Sequence, residues 1–164
     1  MRLLGGLSLP TGEEEAEQAL ETNLRFGAGA TSLLAAVEAS AGTASGALSS
    51  YGRAEIRAPL GEGESGVRYG RTTTAAGGID VPLGARGGGI AQAIWQRQGV
   101  DELDGVAMEN RGGSFFYIVA GGRIGPAKGW QGSLLVERLV HADVRGNQLV
   151  APWSLLLAVS RSAP

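Results

Sequence analysis

Cysteine is absent from this sequence, histidine occurs once (His141) and lysine once (Lys128). No cysteine means no disulfide, no thiolate nucleophile and no sulfur ligand for a metal. A single histidine leaves little provision for general base chemistry near neutral pH. Charge is also sparse: 18% of the residues are charged, the net charge is −2, and the arginines are scattered with no basic run beyond two residues. A nucleic-acid groove shows clustered Lys and Arg, so no nucleic-acid partner is expected. No run approaches the roughly 18 apolar residues of a membrane-crossing helix, and no membrane contact is expected. Neither Arg86-Gly87-Gly88-Gly89 nor Gly27-Ala28-Gly29 continues into a phosphate-loop or dinucleotide motif, so both are read as turns and no cofactor or metal is expected.

What is plentiful is glycine, with 28 residues spread between short apolar runs, a spacing that suits many tight turns. The length fits one folded unit that buries about two-thirds of its unfolded surface. A surface this poor in charge points to contacts with other chains.

The stretch Met1 to Pro10 has the apolar character of a signal segment. It runs into Glu13-Glu14-Glu15 without a small-residue cleavage site, and is read as a free apolar arm. Its leucines, Leu3, Leu4, Leu7 and Leu9, need a partner surface. Thr11 and Glu14 fit a capping box, the following glutamates suit a helix start, and Gly27 suits a terminator, which predicts a helix over 12–26.

Beyond Gly29 the apolar period becomes two. Thr31 to Ala39 and Ser50 to Ala58 read as strands, the second with Tyr51, Arg53, Glu55 and Arg57 on one wet face. Further strands are expected at 67–75, 79–83, 104–109, 114–120, 133–144 and 147–159. Turns are expected at Gly77-Gly78, Gly112-Gly113, Gly121-Gly122 and Arg145-Gly146-Asn147. Residues 89–98 read equally as short helix or strand. The fold expected is mainly β, an antiparallel β-sandwich over 28–164 preceded by an arm and one short helix over 1–27.

Candidate chemistry is thin. On an unbroken strand His141 shares a face with Glu137, Leu139 and Asp143, the polar side of that segment, where a surface histidine is the plain reading. No Gly-x-Ser-x-Gly elbow presents a serine to it. Glu62 and Glu64, and Asp101, Glu102 and Asp104, read as solvated loop acids without the aromatic platform of a sugar site or the oxygen pattern of a calcium loop. Phe115, Tyr117, Trp130 and Trp153 cluster in the C-terminal third and are candidate subunit contacts, with Phe116 facing away from Phe115 and Tyr117.

The order of features resembles small tail-fibre-like and capsid decoration proteins of tailed bacteriophages. The matching positions are Leu33 to Val37, Gly42 to Gly46, Tyr51-Gly52-Arg53, Gly112-Gly113 with Phe116-Tyr117, and the hairpin from Leu134 to Val159. The resemblance implies a non-enzymatic virion component, a β-sandwich assembling as a symmetric homo-oligomer with other virion proteins. A trimer is favoured, or a hexamer for a tail-tube subunit. A carbohydrate-binding module using Trp130 or Trp153, and a hydrolase using the loop carboxylates, are the rival expectations.

Overall fold

A computed structural model describes residues 1–9, 30–44, 46–63, 66–125 and 129–161. The helix expected over 12–26 lies outside the described residues, as do Glu64 and Lys128.

The chain is mainly β: among the described residues 70% are in strands and none is in a helix. The elements are β1 (Arg2–Ser8), β2 (Ser32–Gly42), β3 (Ser49–Pro59), β4 (Val67–Arg68), β5 (Thr72–Leu83), β6 (Gly87–Gln98), β7 (Glu102–Leu103), β8 (Val106–Ala107), β9 (Gly113–Ile124), β10 (Trp130–Val144) and β11 (Trp153–Arg161). Eight of them form one antiparallel sheet in the order β1-β2-β3-β5-β6-β9-β10-β11, and β4-β7-β8 form a small second sheet. Every long strand pairs with the next long strand along the chain, so the large sheet is a single meander with β1 and β11 at its edges.

Residues 2–8, expected as a free arm, are strand β1, paired with β2 from Arg2↔Glu38 to Ser8↔Ser32. Leu3, Gly5 and Leu7 fall on one side of it and Arg2, Leu4, Gly6 and Ser8 on the other, a division that suits a strand whose two sides meet different surroundings. Residues 89–98 fall within β6 and are strand.

Two glycine pairs expected as turns lie inside strands. Gly77-Gly78 sits in the middle of β5 and Gly121-Gly122 in β9, and Gly87 to Gly89 open β6. Glycine in a strand marks a close approach by a neighbour. A Cβ on Gly78 would stand 2.8 Å from the Tyr51 hydroxyl, and one on Gly88 2.7 Å from Arg123 Nε. The expected strand 104–109 is broken by Asp104-Gly105, whose φ values of 51° and 77° make it the tight two-residue turn joining β7 to β8.

The two ends of the meander differ. Connections 43–48, 84–86 and 125–129 lie at one end and are short. Connections 60–71, 99–112 and 145–152 lie at the other and are longer, and the end of β1 and the start of β2 meet at that end too. The small sheet is built where two of the long connections meet, since β4 lies in 60–71 and β7 and β8 in 99–112.

Candidate functional site

Strand alternation and register assign every residue of the large sheet to one of two faces. On the outer face, one row across the strands reads Ala41, Ser50, Ile79, Ala91, Ala120 and Val136. The next row toward the short-turn end holds Val81, Gly89, Gly122, Leu134 and Leu157, and β1 adds Leu3 and Leu7. This face is open: Leu3 is 78% exposed, Leu157 70% and Val159 65%.

On β5, β6, β9 and β10 the apolar band ends sharply toward the long-loop end, whereas on β1 to β3 it runs on through Leu7, Leu33, Ile56 and Ala58. The row Ala75, Trp95, Phe116 and His141 is followed immediately by Thr73, Arg97, Ser114 and Asp143. At the opposite end Trp130 stands against Arg161, whose guanidinium carbon lies 5.5 Å from the ring centre. Arg138, beside Trp153, is the one charged outward side chain between these limits among the described strand residues. All three tryptophans, Trp95, Trp130 and Trp153, are on the outer face near its two margins.

The inner face is mixed, with Ile90, Ile94, Phe115, Val119, Leu135 and Leu139 across β6, β9 and β10 and most of its charge on β1 to β3. Arg2, Glu38 and Arg53 lie side by side on β1, β2 and β3, with Glu55 and Arg57 further along β3. Arg53 donates to Glu38 Oε1 at 2.7 Å and also to Glu55. With Ser40, Tyr51 and Gln92, Arg2, Glu38 and Arg53 line a cavity of ≈ 450 Å³. The middle of this face is the less exposed side of the sheet, with Phe115 at 8% and Val119 at 5%. The sheet is therefore concave inward.

Two long polar side chains cross an intervening strand over a glycine. Tyr51 passes over Gly78 of β5 and donates its hydroxyl to Gln92 Oε1 of β6 at 2.8 Å. Arg123 passes over Gly88 of β6 and reaches Asp80 Oδ1 of β5 at 2.7 Å. Burial, then the charge of Asp80, raises the Tyr51 phenol above its ordinary value. Burial, then Glu137, does the same for Tyr117.

The loop acids are not equivalent. Asp101, expected as solvated, is 3% exposed and accepts the Gly70 N–H at 2.8 Å, tying connection 60–71 to 99–112. Connection 145–152 joins them through Gln148, which donates to the Gly112 carbonyl at 2.7 Å, and through the Asn147 N–H to Asn110 Oδ1 at 2.6 Å. The signal missed in the sequence is Asn110 followed closely by Gly112, both in left-handed conformation (φ 62° and 82°), the mark of a folded loop.

The expected site residues divide between the faces. Leu3 and Leu7 point outward and Leu4 inward, while Leu9 follows the end of β1 and is 64% exposed. Phe115 and Tyr117 are inward, with ring centres 6.3 Å apart, and Trp130 and Trp153 are outward. Hence these four do not form one patch. His141 also changes side. The register of β10 against β9 shifts between Leu139 and His141, leaving Val140 as the extra residue of a bulge. That shift places His141 and Asp143 outward, opposite Phe116 and Ser114, and leaves Glu137 and Leu139 inward.

Among the described residues no helix is long and apolar enough to cross a membrane, which says nothing of crossing by strands. No protein-family model, curated protein or solved structure matches the chain.

Proposed function

We propose that this chain is wall material of a membrane-spanning β-barrel, with its outer face against lipid and its concave face toward water. The observation that carries the reading is the outer band, free of charge over most of its height and bounded by tryptophan at both margins. Lipid-facing strands of this class alternate apolar outward with polar inward and place aromatic residues at the two interfaces. From Trp130 to His141, β10 covers about 25 Å along the membrane normal at ~3.3 Å per residue and a tilt of ~40°. That matches the apolar band of such barrels. Short turns at one rim and long connections at the other fit the same architecture. Arg138, one row inside the upper margin beside Trp153, extends its charge toward the headgroups.

The expectation of no membrane contact rested on helical spans, and strands of nine to fifteen residues obey a different requirement. A sandwich needs a second layer across the apolar face, and the three-stranded sheet belongs to the long-loop end. A virion decoration, tail-associated or tail-tube protein would cover the same apolar area with other protein.

The test is behaviour toward lipid. The full chain, refolded in detergent and mixed with liposomes, is expected to float with them and resist alkaline extraction. Brominated acyl chains are expected to quench its tryptophan emission, because all three tryptophans face outward. A chain that stays folded and soluble without detergent, ignores liposomes and assembles into regular particles would replace this reading with the virion one.

A further inference from the structure

The large sheet has two free edges, and lipid does not tolerate them. In hydrocarbon there is no water for unpaired N–H and C=O groups, so a membrane-spanning sheet closes on itself. We propose that the edge of β11 pairs with the edge of β1 from a second copy of this chain, and reciprocally, closing a ring of two copies. This rests on the barrel reading and adds the partner that completes it.

Two observations show that the edges suit one another, and a third favours a second copy over closure within one chain. First, β1 and β11 run in opposite directions, because seven antiparallel steps separate them in the meander, so each edge is complementary to the other in an antiparallel pair. Second, their outward residues are of one kind: Leu3 and Leu7 on β1, and Leu155, Leu157 and Val159 on β11, which pairing would join into one apolar band. Third, the side chains do not pack as they would in a closed ring of eight strands. A closed eight-stranded barrel is narrow enough for side chains to fill it. Here every residue of β11 is exposed on both faces, inward Leu156 is 58% exposed, and among the described residues no side chain is fully buried. Two copies give about sixteen strands, the number at which barrels of this kind hold a water-filled lumen. The charged and polar residues of the inner face, among them Arg2, Glu38, Arg53, Asp80 and Arg123, suit such a lumen.

The absence of cysteine makes the test clean. One preparation carries Leu3→Cys and Leu7→Cys on β1, and another carries Leu155→Cys and Leu157→Cys on β11. The two are refolded together in detergent and oxidised, and the mass of the wild-type particle is measured by light scattering. The expected result is a two-copy mass and a disulfide between the two preparations. A one-copy mass, an internal disulfide in a chain carrying both cysteine sets, a mass above two copies, or no cross-link overturns the proposal. Liposome flotation of the same samples separates the two claims. Cross-linked dimers that never float reject the lipid reading alone, and floating monomers reject the two-copy ring alone.

Discussion

The two faces of the large sheet share strands, backbone hydrogen bonds and twist, yet their side chains differ in kind. Across β3, β5, β6 and β9 the outer face carries side chains such as Ala54, Ile79, Ala91 and Ile118, while the inner face carries Arg53, Asp80, Gln92 and Arg123. In a protein that buries its apolar side, the convex surface is the wet one. Here the apolar outer side is exposed, while the inner side, which carries most of the charge, also holds the buried Phe115 and Val119. The comparison teaches that alternation alone tells how a strand divides its residues, and curvature tells which half meets water.

Substitutions of like kind on the two faces should break that symmetry most. Ala120→Arg, in the middle of the outer band, is expected to cost about 2–4 kcal/mol of stability in lipid. Thr74→Arg, inward beside Glu55, is expected to cost far less, and urea unfolding in liposomes measures both. Equal effects would remove the distinction between the faces. Filling the inner crossing point comes next. Gly88→Val meets the Arg123 side chain and separates it from Asp80, at an expected cost of about 1–3 kcal/mol from overpacking. Asp101→Ala leaves the Gly70 N–H without its acceptor, worth about 1–2 kcal/mol locally. Faster proteolysis within 60–71 and 99–112, with the strand circular dichroism unchanged, is the expected readout.

The smallest effect is alkaline. Tyr51 and Tyr117 both have phenols raised above the ordinary value of 10.0, so the folded state favours their neutral form. Their contribution is fully present below pH 10 and is lost as pH rises through the folded values. Ultraviolet titration should show late-ionising tyrosine, and Tyr51→Phe should remove part of it. Tyrosines that all ionise at the ordinary value would show that the inner face does not shield them.

The strand content and much of the alternation were legible in the sequence. Ser50 to Ala58 divides as expected, with Tyr51, Arg53, Glu55 and Arg57 on one side. What the sequence hid was the use of glycine. Gly77-Gly78 and Gly121-Gly122 look like turn signals because glycine is a poor strand former, and only the fold reveals the neighbours packed against Gly78 and Gly121. The bulge at Val140 was equally hidden, since nothing in Leu139-Val140-His141 announces an extra residue, and it alone moved His141 to the other face. Asp101 could not be told from Glu102 or Asp104 by type, because its burial comes from a connection some thirty residues earlier in the chain.

The crossings over Gly78 and Gly88 also act on alignment. Tyr51 links β3 to β6 and Arg123 links β9 to β5, each skipping one strand, and the two spans overlap on β5 and β6. Were β5 to slide by two residues, Ala76 or Asp80 would replace the glycine beneath the tyrosine ring. The meander therefore carries its own vernier: neighbouring strands click into a single stagger, and that stagger fixes how steeply they lean.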